Sequence, residues 1–374
     1  MSRTEPATRD HVVSVGATMI RLRRRHPAPR DSGGGQPKHT DHIVVRAADE
    51  TGRVGWGEIV AATPQRWRAV TEEIAPALLK HPWQRPTEAA EVWSGLAPDP
   101  AVVAGVDTAC WDLWSRRRDT PLSHALGGTR TAVTAAVTVG RQPSLESLVR
   151  EVNRQVGNGV RCVRLEIEPG WDIDVVRAVR QTYPFLVLEV SARQSYSEDP
   201  AHLEVLRALD DYGLLAIEEP LPVKDLAGYA RLRRELRTPV ALGPSIDSLE
   251  HLDAAIRAEA ADAVALHVAH LGGLTPARRA HDRAVDAGWQ VWCGDDGHSG
   301  LGRAAAVALA SLPGMSLPSE MPGAGAGFAR DIVSPPVRAH DGITPIPLTE
   351  AGLGYTVEES TIEALTQESV TLRR

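Results

Sequence analysis

The stretch 160–172 (Val-Arg-Cys-Val-Arg-Leu-Glu-Ile-Glu-Pro-Gly-Trp-Asp) carries the first pair of residues able to do chemistry. Arg164 and Glu166 stand two apart in an apolar, β-branched run. On a strand that spacing puts a fixed cation and a titratable carboxylate on one face. The run breaks at Pro169-Gly170, as a buried parallel strand does where it opens into a functional loop. Further titratable groups fall at or just past the ends of later apolar runs: Glu189 (close to Ser191 and Arg193), Glu218, His267, and Asp295, Asp296 and His298. Carboxylates combined with imidazoles that titrate near neutrality are the equipment of general acid/base catalysis. Arginine suits a carboxylate or carbonyl oxygen beside them. The bland alternatives are solvated strand ends and a histidine that merely completes a core. Recurrence of the pattern at several strand ends favours the functional reading.

Two kinds of texture must position these groups. Up to about residue 130 the chain reads as a strand meander followed by helices, an α+β module. Strands are predicted at 11–25, 41–48 and 53–60, and helices at 65–80, 87–96 and 101–118. The loop 26–39, rich in Pro and Gly, is long enough to act as a lid. From Thr131 strands alternate with helices, the mark of parallel β/α units. Strands fall at 132–139, 160–167, 185–190, 214–218, 240–242, 263–268, 290–293 and 315–317. Helices of 3.6-residue spacing fill the gaps between them. This predicts a (β/α)7β barrel of the TIM type with its chemistry at the C-terminal mouth. The expected organisation is a loose tail over 1–10, a capping domain over 11–130 completed by 332–374, and a barrel over 131–331. Within the last part, 343–357 is expected to pack back on the first module, and the cap is expected to cover the mouth with loop 26–39 beside it.

Composition narrows the function classes. A chain of 374 residues with 43% hydrophobic and 24% charged residues is ordinary for a globular protein of this size. The net charge of -7 offers nothing to nucleic acid, no run reaches membrane-spanning length, and the polar N-terminus lacks an apolar signal core. Cys110, Cys162 and Cys293 lie far apart in apolar runs and read as buried, reduced thiols of a cytoplasmic protein. The tryptophans Trp56, Trp111, Trp114, Trp171, Trp289 and Trp292 read as core. Arg23-Arg24-Arg25 and Arg116-Arg117-Arg118 read as solvated faces, and Asp107 and Asp112 as structural caps or pairs. The expected partners are a small-molecule substrate and further copies of the chain, with no nucleic acid and no membrane.

Several motifs resemble one family. Residues 104–128 (Ala-Gly-Val-Asp-Thr-Ala-Cys-Trp-Asp-Leu-Trp … Pro-Leu … Leu-Gly-Gly) resemble the last cap helix of the enolase superfamily. Gly55-Trp56-Gly57-Glu58 and Gly352-Leu353-Gly354 are similar to its other cap signatures. Glu168-Pro169-Gly170-Trp171-Asp172, Ile217-Glu218-Glu219-Pro220-Leu221 and Leu271-Gly272-Gly273-Leu274 are similar to its barrel motifs. The resemblance covers the chain after about Asp10 and is closest to the o-succinylbenzoate synthase and N-acylamino acid racemase branch, near the muconate cycloisomerases. It implies proton abstraction beside a carboxylate, with magnesium on three acidic strand ends and lysines on opposite faces. At the implied ligand positions stand Ser191, Glu218 and Gly243. The implied Lys-x-Lys pair is Arg164-Leu165-Glu166, the sixth-strand lysine is His267, and His298 replaces an acidic residue. Lys38, Lys80 and Lys224 are the lysines of the chain, and none falls at these positions.

Three readings follow, in order of preference. The first is acid/base catalysis with no metal and no cofactor: His267 carries the proton, Glu166 opposite it is the second acid/base, and Glu218 orients or charges the imidazole. Arg164 or Arg193 then holds an anionic or carbonyl group, with Ser191, Asp295, Asp296 and His298 completing the substrate pocket. The second is a pseudoenzyme that binds a ligand without turnover. The third is a relocated metal site drawn from Glu166, Glu218, His267, His270, His298 and the Asp295-Asp296 pair, suited to zinc, iron or manganese. The reachable reactions α or β to a carbonyl are dehydration, epimerisation and conjugate-addition cyclisation. A ketone, β-dicarbonyl or thioester substrate is favoured, and with it a place in specialised metabolism.

Overall fold

The computed structural model describes residues 12–25, 38–96, 99–222, 224–322 and 327–374. The first module is built on a four-stranded antiparallel sheet, β1 (Val12–Arg23), β2 (His39–Asp49) and β3 (Val54–Ile59), joined by β15 (Thr366–Arg373) in the order β15-β1-β2-β3. Near its end β1 alternates buried Ile20 and Leu22 with exposed Arg21 and Arg23, the period-2 pattern of a half-buried strand.

The expected helix over 65–80 is three consecutive pieces: α1 (Pro64–Arg68), a π-helical turn over Ala69–Ile74, and α2 (Ala75–Lys80). Pro76 supplies the reason. It has no N–H to donate back one turn, and ahead of it the Ala75 N–H reaches Val70, five residues back. The helix expected over 87–96 shrinks to α3 (Pro86–Ala89), followed by turns bonded three residues back around Ser94 and Gly95.

Helix α4 (Pro100–Arg117) is the bolt of the structure. Asp99 caps it, accepting from Ala101 N–H, and Pro100 occupies the first turn. Strand β3 approaches it backbone to backbone. A Cβ at Gly57 would lie 1.9 Å from the Gly105 carbonyl oxygen, and one at Gly55 2.2 Å from that of Ala109. Only glycine fits there. Asp112 accepts from Trp56 N–H at 2.9 Å and from Leu353 N–H at 2.8 Å. Asp107, whose carboxyl burial pushes up to about 7, accepts from the backbone and hydroxyl of Thr275. Both aspartates are thus structural, as expected.

After α5 (Leu122–Ala125) comes the barrel. Its strands are β4 (Ala132–Val139), β5 (Cys162–Glu166), β6 (Val187–Ser191), β7 (Ile217–Glu218), β8 (Val240–Leu242), β9 (Ala263–Leu266), β10 (Gln290–Cys293) and β11 (Ser319–Glu320). They pair in parallel in the order β10-β9-β8-β7-β6-β5-β4-β11. The ring is closed by Ser316 and Leu317 N–H groups donating to Val291. Outside run α6 (Leu145–Gly157), α7 (Ile173–Thr182), α8 (Pro200–Ala208), α9 (Leu226–Glu235), α10 (Leu249–Arg257), the short α11 (Val268–Leu271), α12 (Leu274–Asp286) and α13 (Gly300–Leu309). The eighth strand was expected at 315–317. Pro318 cannot donate to a ladder, and the pairing with β4 begins only at Ser319 opposite Ala135.

The C-terminal part also differs from expectation. Of 343–357, β13 (Ile343–Pro345) pairs with barrel strand β4, and β14 (Thr356–Val357) pairs with β12 (Val333–Ser334). Gly352 and Leu353 do meet the α4 region, but the strand that joins the cap sheet is β15, reached through α14 (Glu359–Leu365).

The cap sits on the C-terminal side of the barrel. Helix α4 packs on α11 and α12, and β3 packs on α13, all elements that follow barrel strands. Ile20, Leu22, Val44 and Trp56 of the cap share one apolar core with the barrel. Residues 1–10 and most of loop 26–39 lie outside the described residues. The three cysteines are buried and free, and all six tryptophans named above are buried or half-buried. Each arginine triplet holds a member that is not solvated. Arg24 is half-buried with its guanidinium 5.4 Å over the Phe328 ring, and Arg117 pairs with Asp49 at 2.8 Å. Among the described residues no helix is long and apolar enough to cross a membrane.

Candidate active site

Strand register brings the interior side chains together. On β5, Val163 and Leu165 face the helices, while Arg164 and Glu166 face the barrel axis. Arg164 lies opposite Glu189 and Glu166 opposite Ser191, which in turn lies opposite Glu218. The Arg164 guanidinium, 2% exposed, reaches Glu189 at 2.9 Å, Glu320 at 2.6 Å and Glu218 at 3.7 Å, and lies 5.2 Å over the Trp292 ring. Burial works against its charge, but Glu189, Glu218 and Glu320 outweigh burial and hold it firmly protonated. Burial raises the proton affinity of Glu189 and Glu218. For Glu320, Arg164 and His267 overcome burial and keep it ionised below the usual range. Glu218 presents Oε1 with no hydrogen-bond partner.

The second assembly is an imidazole–carboxylate pair. His267 follows the last residue of β9 and is 4% exposed. Its Nδ1 lies 2.7 Å from Asp296 Oδ1, and Asp296 Oδ2 accepts from Ala269 N–H at 2.9 Å. Both carboxylate oxygens are thereby fixed, and so is the ring. Burial would lower the His267 pKa, but Asp296, Glu320 and Glu218 outweigh it and raise it to about 9. Asp296 is held well below the ordinary carboxylate range: burial opposes this, and the charge and hydrogen bond of His267 prevail. The ring exists because residue 294 is glycine. A Cβ there would lie 2.1 Å from Cε1 and 2.2 Å from Nε2 of His267. That Nε2 is buried without a partner, a state that native interiors rarely leave unexplained.

Several expected roles are corrected by these placements. Arg164 already faces three carboxylates within 4 Å, which offset its charge, while its Nε and Nη2 have no hydrogen-bond partner. Arg193 lies 3.1 Å from Glu166, in a pair with side-chain exposures of 66% and 30% that contributes little to stability. Glu166 therefore stands at the outer rim. Asp296 orients the imidazole, while Glu218 adds to its charge together with Glu320. His298 is buried against Gly302 at the start of α13, where it adds charge beside Glu58, and faces the cap joint. Asp295 donates its N–H to Glu320 and lies 3.7 Å from Arg303. Ser191 lies opposite Glu218 and lowers the proton affinity of its carboxyl against the pull of burial. Glu320 was missed altogether because the strand appeared to end at Leu317. The one signal for it was the acidic residue two past Pro318, at the mouth of the closing strand.

The donor set argues against a divalent ion at the implied position. Ser191 offers a hydroxyl and no carboxylate of its own. At Gly243 a Cβ would lie 2.5 Å from Glu218 Oε1, so Glu218 leans into the space a third ligand would need. Its other oxygen faces a guanidinium. Magnesium demands several hard oxygens in octahedral array and does not fit here. Among the described residues no group of three or more His, Cys, Asp or Glu side chains is arranged to hold a metal, the relocated set included.

Comparison with known proteins agrees with the architecture. Residues 147–361 match the enolase C-terminal domain-like family, and residues 17–127 match the mandelate racemase / muconate lactonizing enzyme N-terminal domain. An o-succinylbenzoate synthase from Geobacillus kaustophilus is 33% identical over 91% of this chain and 92% of its own length. An N-succinylamino acid racemase from Thermus thermophilus is 35% identical over 80% of each. The crystal structure of an enolase superfamily member from Listeria innocua superposes with a TM-score of 0.90 at 27% identity, covering 97% of this chain and 99% of that one.

Proposed function

This chain belongs to the enolase superfamily, and on that premise we propose that it is a lyase or isomerase that moves a proton α to a carbonyl of a small molecule without a divalent metal. One observation carries the reading: a buried imidazole at the end of β9 that is anchored through Nδ1 and unpartnered at Nε2. With its pKa raised to about 9, His267 is protonated at neutral pH. Its resting role is therefore that of acid and electrophile.

The Nε2–H donates to a carbonyl oxygen, or to a hydroxyl that leaves as water, while negative charge develops there. Asp296 keeps the ring in place and stabilises the imidazolium. The unpartnered Glu218 Oε1 takes the α-proton, and the raised proton affinity of this carboxylate suits it to the task. Glu218 replaces Glu166 in that role, since Glu166 is tied to Arg193 at the rim. Delivery of the His267 Nε2 proton to the opposite face of the α-carbon gives epimerisation, and loss of the hydroxyl as water, protonated by the same Nε2–H, gives dehydration. The relatives named o-succinylbenzoate synthase and N-succinylamino acid racemase support these two outcomes and a small acylated carbon acid as substrate. A substrate acidified by a ketone or thioester asks least of a site whose cations are an imidazolium and a guanidinium.

The test is deuterium incorporation from D2O into N-succinylamino acids, β-keto esters and acyl thioesters, followed by NMR in excess EDTA. Exchange in at least one class, lost in His267→Gln, is the expected result. Tight binding of a carbonyl compound without exchange would put a pseudoenzyme in its place.

A further inference from the structure

We propose that Arg164 is a built-in cation that occupies the electrostatic position of a divalent ion in this barrel and closes the site to metal. The inference rests on the reading of a metal-independent site, and it names what takes the ion's place.

The guanidinium is brought by β5 and met by carboxylates from three other strands, Glu189 on β6, Glu218 on β7 and Glu320 on β11. Glu218 is the one acidic residue at the three implied ligand positions. The guanidinium thus faces the only carboxylate that a metal could have used. All four side chains are buried or nearly so, with exposures of 2% for Arg164, 0% for Glu189, 4% for Glu218 and 13% for Glu320. Three carboxylates in so dry a place need a cation between them. Arginine meets that need where lysine would not, because its planar fork spans several acceptors and it keeps its charge when buried. The Trp292 ring at 5.2 Å adds a face that favours a cation.

The consequence is positional. With Oε2 turned to Arg164, Glu218 keeps Oε1 free of hydrogen bonds beside Gly243. Arg164 is a positioning residue that acts through Glu218 and need not touch substrate.

Manganese serves as the probe. Full-length protein is stripped with EDTA, desalted and titrated with MnCl2, with free ion read by EPR and stability by the shift in melting temperature. Wild type should show no saturable binding at millimolar Mn²⁺ and no shift. Arg164→Gln removes the charge and should bind one ion per chain with a rise in melting temperature. If Arg164→Gln does not fold alone, Mn²⁺ in the refolding buffer should restore its near-UV circular dichroism. Saturable Mn²⁺ binding by wild type would overturn the inference. So would a folded Arg164→Gln that binds no ion, or an unfolded one that Mn²⁺ does not rescue. None of these readouts needs turnover. Failure of exchange in EDTA therefore counts against the proposed reaction, and failure of the Mn²⁺ switch counts against Arg164 alone.

Discussion

Nδ1 of His267 and Oδ1 of Asp296 lie 2.7 Å apart in the interior of the barrel mouth, and the second oxygen of Asp296 is held by Ala269 N–H. The pair sets a pH dependence whose sign can be worked out. The folded-state pKa of His267 is about 9 against an ordinary 6.5. Its contribution to stability is therefore complete below about 6.5 and is lost as pH rises through about 9. Turnover that uses the imidazolium should fall over the same upper limit. Asp296→Asn removes the largest raising influence and leaves burial to act, so the descending limb should move to lower pH. Rate–pH profiles of wild type and variant check this.

Gly294→Ala should act as a remote deletion of His267. The added Cβ would meet the ring at 2.1 Å, so the imidazole must leave its place. A loss of about 10²–10⁴-fold in exchange rate is expected, the range typical for removal of a general acid or base. Far-UV circular dichroism should remain that of the wild type.

Gly243→Asp reinstates a carboxylate at an implied ligand position, yet it should not restore metal dependence. Its Cβ would stand 2.5 Å from Glu218 Oε1, and Arg164 would still face the same carboxylate. Activity should fall and should not recover on addition of Mg²⁺, as steady-state assays with and without the ion would show.

Glu58 couples cap to barrel. It lies 2.6 Å from His42 Nδ1 and accepts from Ser299 and Gly302 N–H at the start of α13. Burial pushes its carboxyl up, but His42, His298 and Ser299 outweigh that and lower it to about 2 against an ordinary 4.5. The stabilisation is present above about 4.5 and is lost as pH falls towards 2. Glu58→Gln should cost about 1.5–3 kcal/mol in urea unfolding at neutral pH, as for weakening buried hydrogen bonds to a charged group.

The fold was legible because it rests on repetition. Alternating strand and helix periods placed seven of the eight barrel strands. The exception, β11, is two residues long and follows Pro318, too short a signal for periodicity to register. Within the site, Arg164 stood out through the period-two spacing of its strand, while Ser191, Glu218 and His267 stood out through the positions that the family resemblance implies. Partnership was not legible. That Asp296 turns to His267, that Arg193 takes Glu166 and that His298 looks to the cap depend on loop conformations after β6 and β10. Local sequence does not encode these: Arg193 and Gln194 adopt left-handed backbone angles, φ 49° and 63°, with no glycine to advertise them. Gly294 reads as an ordinary loop glycine until the imidazole leaning over it is seen.

The most direct measurement is the rate of solvent deuterium incorporation at the α-carbon in excess EDTA, for wild type and His267→Gln, across the substrate classes named above and across pH. The account predicts that wild type exchanges without added metal, that its rate falls as pH rises through about 9, and that His267→Gln is slower by about 10²–10⁴-fold. Exchange that stops on chelation and returns with Mg²⁺, or a His267→Gln rate equal to wild type, would contradict it.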